Sequence, residues 1–212
     1  MFVGLAAAWL GVVGCHKAPP PTTRAVQPTT TQAAELLPVH FINVDCTGNR
    51  IVFMCDVDVD SRAVFDILCV KPLQKSIEGL QPSQSFNVVF LGSEVAVPLL
   101  DKKLLPASAA NKQRLCDYCE KYTPLGPADV RPGIEAAFAM HPDVIFFLCD
   151  PSDFPDPKAI EELFRTLNAD HKCKVNTISF MDEDHQGEDL LKKISADSGG
   201  KFKYVSKVDV EK

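Results

Sequence analysis

The sequence lacks the features that mark several common functional classes. It has no Lys/Arg-rich stripe, and its 212 residues carry a formal net charge of -6. Proteins that bind nucleic acid neutralise phosphates with clustered basic side chains, so we predict no nucleic-acid partner. The sequence also has no HExxH motif, no phosphate-cradling glycine loop and no recognisable Ser/His/Asp triad. These absences argue against the common hydrolase and nucleotide-binding classes.

The N-terminal segment has no Lys or Arg before its apolar run, although a secretory signal normally begins with positive charge. Residues 2–14 are almost wholly apolar, too few to span a bilayer but suited to the hydrophobic region of a signal peptide. The closing phrase Val-Val-Gly-Cys resembles the lipobox of bacterial lipoproteins. We therefore interpret residues 1–15 as a signal peptide that ends at a lipid-attachment residue, Cys15. This resemblance implies a protein anchored to a membrane of the cell envelope, on its periplasmic or extracytoplasmic side.

The next segment, residues 16–38, is rich in Pro, Thr, Ala and Gln. Such a composition buries too little apolar surface to offset the entropy of ordering the chain. We predict a disordered tether that holds the following domain, residues 39–212, away from the membrane. A Pro-rich docking peptide is the alternative interpretation.

From residue 39 onward, strand and helix patterns alternate. Strands are predicted at 39–44, 51–55, 86–91, 95–98 (an antiparallel edge), 144–149, 175–180 and 202–205. Helices are predicted at 64–80 (with Pro72 kinking it or ending its first half), 109–122, 131–140, 157–167 and 188–198. Strands separated by helices predict a Rossmann-like α/β fold, a doubly wound and mainly parallel sheet with helices on both faces.

Acidic residues follow two of the apolar strands. Asp56, Asp58 and Asp60 alternate directly after residues 51–55, and Asp150 follows residues 144–149. Open α/β sheets bind ligands outside the carboxyl ends of their strands, where we expect these carboxylates to converge. Three like charges repel one another unless a cation, a proton or wide solvent exposure compensates them. The loop is therefore a divalent-cation site, or a solvated acidic loop that has lost one.

Three motifs occur in order along the domain. They are the apolar strand that ends in Asp-x-Asp-x-Asp, the phrase Ser-Ile-Glu-Gly-Leu-x-Pro-Ser-Gln-Ser-Phe-Asn-Val at 76–88, and the segment from Leu-Leu-Lys-Lys-Ile to Gly-Gly-Lys-Phe at 190–202. Together they resemble a von Willebrand factor type A domain over residues 39–206, closest to the bacterial, membrane-tethered versions. The resemblance implies a Rossmann-like fold and a protein-interaction module rather than an enzyme, with a protein partner that the sequence does not identify.

The resemblance also implies a metal-ion-dependent adhesion site, here in degenerate form. Asp56 and Asp150 match aspartates of that site, while Asp58 and Asp60 stand where the family has serines. Ala128 replaces the threonine of the second loop, beside Asp129. Extra carboxylates strengthen cation binding, favour Ca²⁺ over Mg²⁺, and leave the ion less positive charge with which to capture a carboxylate from a partner. The predicted site residues are Asp56, Asp58, Asp60, Asp150 and Asp129, with Mg²⁺ or Ca²⁺ as the ion.

A phosphatase is the alternative function. The apolar strand followed by Asp-Val-Asp-Val also resembles the first motif of haloacid-dehalogenase-type phosphatases. In that interpretation Asp56 is the nucleophile and Asp58 the general acid. The downstream acidic spacing fits that family poorly, and no lysine stands at an obvious third-motif position.

The eight cysteines are numerous for this length, and Cys15 leaves seven for the domain. Cys116 and Cys119 share one helix face, but a zinc site needs a second pair with similar spacing. Cys55 and Cys149 precede the site aspartates on strands that the resemblance makes neighbours. We expect both thiols on the same sheet face, within reach of one another, and predict free, buried thiols.

Overall fold

A six-stranded sheet forms the centre of the computed structural model, which describes residues 35–56, 62–91, 102–122, 129–150, 154, 156–180 and 187–206. The strands are β1 (Pro38–Phe41), β2 (Val44–Thr47), β3 (Arg50–Asp56), β4 (Ser85–Leu91), β5 (Leu105–Pro106), β6 (Val144–Cys149), β7 (Lys174–Phe180) and β8 (Phe202–Val205). The helices are α1 (Arg62–Phe65), α2 (Lys71–Gly79), α3 (Ala109–Lys121), α4 (Arg131–Ala139), α5 (Pro157–Leu167) and α6 (Glu188–Ser198).

The sheet has the strand order β5-β4-β3-β6-β7-β8. All neighbouring strands are parallel except the short β5, which pairs antiparallel with β4. The central strands are apolar runs because both of their faces are covered. The predicted doubly wound, mainly parallel α/β fold is confirmed.

Side chains along each strand point alternately to the two faces of the sheet, so the interior contains two separate cores. In β3, Phe53 and Cys55 belong to the first core, whereas Val52 and Met54 belong to the second. The first core packs against α1, α2 and α3, and the second against α4, α5 and α6. Helices therefore cover both faces, as the sequence predicts, because each face of a buried sheet presents an apolar surface.

The predicted strand at 39–44 is wrong, because the chain reverses inside it. β1 and β2 form an antiparallel hairpin with Phe41 opposite Val44. The two loop residues, Ile42 and Asn43, have φ of 43° and 59°. A two-residue hairpin loop requires such positive φ values and usually takes Asn-Gly or Asp-Gly, so a β-branched isoleucine hides the turn from sequence.

The predicted helix at 64–80 is interrupted, and the break differs from a simple proline kink. A π-helical segment, Asp66–Val70, joins α1 to α2, and Lys71 N–H donates to the carbonyl oxygen of Asp66 five residues earlier. Pro72 lies in the first turn of α2. Proline has no N–H with which to continue the preceding α-helical ladder, so the hydrogen-bond register shifts just before it.

The predicted antiparallel edge strand at 95–98 lies outside the described residues. An antiparallel edge strand is present at β5, where Leu105 pairs with Phe86 and Pro106 with Ser85. Pro106 lacks an N–H, and proline is tolerated in an edge strand because an N–H that faces away from the sheet is not needed for the ladder.

The hairpin should be an integral part of the first core, which the substitution Phe41→Ala tests. Phe41 is fully buried, and its ring packs edge-on against Phe53 and Phe146 with centroid distances of 5.2 and 5.7 Å. We expect the substitution to lower the free energy of unfolding by about 3–5 kcal/mol, measured by denaturant titration, because it leaves a cavity.

The matched control is Thr47→Ala, an exposed position of the same hairpin. This variant should change the free energy of unfolding by no more than about 0.5 kcal/mol. A loss below about 1 kcal/mol for Phe41→Ala would show that the hairpin is dispensable to the core.

Candidate functional site

Asp56 and Asp150 lie at the carboxyl ends of adjacent parallel strands. Asp56 ends β3, and Asp150 directly follows β6. Cys55 pairs with Leu148 in the register of these strands, which places Asp56 level with Cys149 and Asp150 one residue further along. Neighbouring strands are about 4.8 Å apart, so the two backbones deliver both aspartates to one short stretch of the sheet edge.

The negative charges of Asp56 and Asp150 both act on the buried thiol of Cys149. Burial raises the pKa of Cys149 well above its usual value, and the negative charges of Asp56 and Asp150 raise it further. Asp56 is itself 6% exposed. A buried carboxylate is costly unless hydrogen bonds or a positive charge compensate it, and a cation is one group that can do so.

The structure describes only part of the predicted ligand set. Asp58, Asp60 and Ala128 lie outside the described residues. Within the described ranges, no group of three or more His, Cys, Asp or Glu side chains is placed to hold a metal ion. Asp56 and Asp150 supply the carboxylate chemistry that Ca²⁺ and Mg²⁺ prefer, and Asp58 and Asp60 are the predicted sources of further oxygen ligands. The assignment of these residues as ligands stays a prediction.

Asp129 has a partner of its own. Its two carboxylate oxygens accept hydrogen bonds from the Arg131 guanidinium at 2.6–2.9 Å, and Oδ1 also accepts one from the Arg131 backbone N–H at 3.0 Å. The side-chain hydrogen bonds from Arg131 hold the pKa of Asp129 below its usual range. A direct metal contact by Asp129 would therefore compete with this ion pair.

Arg62, which sequence reasoning missed, anchors the connection between the first loop and the second. It begins α1, directly after the acidic loop, and its guanidinium donates hydrogen bonds to the carbonyl oxygens of Cys119 (3.3 Å) and Tyr122. Cys119 lies in the last turn of α3, and Tyr122 directly follows that helix, just before the second loop. Asp66 Oδ1 lies 2.8 Å from Arg62 Nε, so the guanidinium also forms an ion pair with this carboxylate. The sequence signal was a lone arginine two residues after Asp60, the last aspartate of the acidic run.

The two cysteines beside the site are on adjacent strands, but their predicted orientation is wrong. Cys55 points into the first core and Cys149 into the second. The register pairs Cys55 with Leu148, so the cysteines are one residue out of step and alternation sends their thiols to opposite faces. The prediction that Cys55 and Cys149 are free, buried thiols is confirmed.

The chain belongs to the von Willebrand factor type A domain family, because the family's model matches residues 49–204. The match begins immediately before β3 and ends within β8, so it spans the six-stranded sheet, and the β1–β2 hairpin precedes it. No curated protein shows a significant match to the chain.

Solved structures share the fold at low sequence identity. A von Willebrand factor type A protein from Catenulispora acidiphila is 14% identical, with a TM-score of 0.56 over 76% of this chain and 40% of that one. Proximal thread matrix protein 1 from the mussel byssus is 18% identical, with a TM-score of 0.55 over 76% of this chain and 42% of that one. The N-terminal domain of TFIIH p34 is 10% identical, with a TM-score of 0.50 over 72% of this chain and 88% of that one. This chain spans about two-fifths of the length of the first two proteins.

Replacing Arg62 should loosen the connection between the two loops. Arg62→Ala leaves the carbonyls of Cys119 and Tyr122 without this donor, so we expect a loss of roughly 1–3 kcal/mol in the free energy of unfolding, measured by denaturant titration. Arg62→Lys should recover only part of it, because an ammonium group lacks the planar fork. The control is Arg131→Ala, which removes a solvent-exposed ion pair and should have little effect. Equal effects of the two alanine substitutions would contradict the anchoring role.

Burial should separate the cysteines by reactivity. Burial raises the pKa of Cys119 and of Cys173 to about 12, and it raises that of Cys69 well above the usual value. The thiolate is the reactive form, so iodoacetamide at pH 8 should modify half-buried Cys46 in the native protein before these thiols. Mass spectrometry of the peptides measures the order, and rapid native labelling of Cys69 or Cys173 would contradict the packing.

Proposed function

We propose that this protein is a non-enzymatic interaction module whose acidic loop is ordered by a divalent cation. The observation that carries the proposal is the placement of Asp56 and Asp150 on adjacent parallel strands at the ligand-binding edge of the sheet. Von Willebrand factor type A domains are generally protein-interaction modules that commonly hold a divalent metal at this edge. The partner is proposed to be another protein that docks on the loops of this edge.

The cation has a structural role in this proposal. Bound Ca²⁺ or Mg²⁺ would supply the positive charge that offsets the carboxylates. Asp56 and Asp150 would provide oxygen ligands from the ends of β3 and β6, and Asp58 and Asp60 are proposed as further ligands. With several carboxylates around it, the ion keeps little charge with which to attract an acidic group from a partner. Partner binding then depends on the shape of the ordered loops rather than on a metal-bridged carboxylate.

The phosphatase alternative is not favoured. A haloacid-dehalogenase enzyme would use Asp56 as its nucleophile, but the family match supports an interaction domain over residues 49–204. Asp56 is also well buried, with a relative exposure of 6%, whereas a nucleophile must meet its substrate.

We further propose that the domain is tethered to the bacterial cell envelope. Support comes from the lipobox-like phrase that ends at Cys15 and from the Pro/Thr-rich composition of residues 16–38. In the described ranges no helix has the length and apolarity needed to cross a bilayer. A lipid on Cys15 would anchor the chain, and the tether would let the domain reach partners beyond the membrane surface.

Metal binding should raise the melting temperature of the full chain. A ligand that binds only the folded state, at one hundred times its Kd, stabilises it by about 2.7 kcal/mol. For a domain of this size that is a rise of roughly 5–10 °C, measured by scanning calorimetry with and without millimolar Ca²⁺ or Mg²⁺. Asp58→Asn and Asp150→Asn should each remove most of this rise.

Asp189→Asn is the matched control, because that aspartate is fully exposed in the first turn of α6. It should leave the calcium-dependent rise intact. Equal melting temperatures with and without the ions would show that the acidic loop holds no metal. Hydrolysis of p-nitrophenyl phosphate that disappears in Asp56→Asn would instead favour the phosphatase.

A further inference from the structure

A second candidate site lies at the opposite end of the sheet from the aspartates. A cavity of about 730 Å³ opens between the β1–β2 hairpin, the C-terminal half of α2, the start of β7 and the connection from α6 to β8. Lys174 is the first residue of β7, so the cavity lies at the amino ends of the parallel strands. The acidic edge lies at their carboxyl ends.

The charge around this cavity is positive, in contrast to the protein as a whole. Lys75, Lys174 and Lys201 line it, and Asp45 is the one carboxylate among its described lining residues. Asp45 Oδ1 already lies 2.7 Å from His40 Nδ1. Neither Lys75 nor Lys174 forms an ion pair within the part of the chain that the structure describes. An anion bound in the cavity would be attracted by all three ammonium groups.

A hydrogen bond holds the Lys201 side chain against the β1–β2 hairpin at this cavity. Its Nζ donates to the backbone carbonyl oxygen of Asp45 at 2.7 Å, which ties the end of the α6–β8 connection to the hairpin. A carbonyl oxygen carries no net charge, so the lysine keeps its positive charge for a ligand. The connection itself passes close beneath the sheet, because a Cβ on Gly200 would lie 2.0 Å from the carbonyl oxygen of Val175.

A buried amide at the same cavity points independently to an acceptor-bearing ligand. Asn176 lines the cavity and is fully buried. Its Oδ1 accepts the backbone N–H of Lys201 at 3.0 Å, which fixes the orientation of the amide group. Its Nδ2 has no hydrogen-bond partner among the described residues. An unsatisfied buried donor is unusual in a folded protein and often marks the position of a water molecule or a ligand.

We propose that this cavity binds a phosphate group, with Lys75, Lys174 and Lys201 as its cationic contacts. A phosphate has several oxygens with which to meet three separate ammonium groups, and lysine is a common phosphate-binding residue. The Asn176 amide, which also lines the cavity, would serve as a neutral donor to the phosphate, directly or through one water. An anionic phospholipid headgroup and a soluble phosphoester present the same chemistry.

The position of the cavity favours the lipid as the source of the phosphate. Pro38, the last residue of the predicted tether, lines the cavity, so the chain that leads to the membrane joins the domain beside these lysines. Lysines held close to an anionic membrane surface are attracted to it. This lipid source rests on the envelope tether proposed above, whereas phosphate recognition itself does not.

The test titrates the full chain with inorganic phosphate and with glycerol phosphate by isothermal calorimetry. The double variant Lys75→Gln/Lys174→Gln should bind both at least tenfold more weakly than the wild type. Both side chains are exposed, so the variant should keep its melting temperature. The matched control is Lys121→Gln/Lys158→Gln, which removes the same charge outside the cavity and should leave the affinity unchanged.

Binding to vesicles distinguishes a phospholipid headgroup from a soluble phosphoester as the source of the phosphate. The full chain is sedimented with phosphatidylcholine vesicles, with and without phosphatidylglycerol, so that any insertion of the apolar N-terminus contributes equally to both. A preference for phosphatidylglycerol that the cavity variant loses would support the lipid. Lysine-dependent phosphate binding without that preference would assign a soluble phosphoester and contradict the lipid source. Absence of saturable phosphate binding, or an equal loss in the control variant, would overturn the site whatever the acidic edge does with metal.

Discussion

The parallel pairing of β3 with β6 is the constraint on which the rest of the structure depends. These two strands form the middle of the sheet, and their register fixes which residues face each core and which stand level at the edge. It brings Phe53 beside Phe146, with ring centroids 5.5 Å apart, so that Phe41 of the hairpin can pack across both. The same register places Asp56 beside Cys149 and just behind Asp150. A shift of one residue would send a site aspartate to the other face.

The domain consequently has two chemically different ends. The carboxyl ends of the strands carry aspartates, and the amino ends carry the lysine-lined cavity. In a tethered protein such a separation of charge would direct the basic end toward an anionic membrane and the acidic loops outward. Arg62 and Arg131 lie at the acidic end, where each engages an aspartate through its guanidinium.

Most of the fold followed from the sequence because its strands are buried on both faces. The runs at 144–149 and 202–205 and the helices at 157–167 and 188–198 were predicted with their observed bounds, since apolar runs, proline near a helix start and Gly199 after a helix end are local signals. The hairpin failed because its turn uses Ile42, a residue that rarely adopts positive φ. The π-helical segment depends on a hydrogen-bond register that side-chain periodicity does not report.

The sequence predicted the part of the candidate site that lies at the ends of the strands. Asp56 and Asp150 follow apolar runs, and parallel strands bring such ends together. The ion pair between Asp129 and Arg131 and the long-range anchor at Arg62 depend on side-chain geometry and on contacts between distant segments, so the sequence did not reveal them. The opposite orientations of Cys55 and Cys149 required the register of β3 and β6, which the motifs alone did not fix.

A crystal structure of the protein grown or soaked with millimolar Ca²⁺ tests the central claim most directly. The account predicts an ion at the carboxyl ends of β3 and β6, with a carboxylate oxygen of Asp56 at roughly 2.3–2.6 Å and further oxygens from the acidic loop and Asp150. Well-ordered loops without an ion at this edge, or an ion coordinated only elsewhere on the domain, would contradict it.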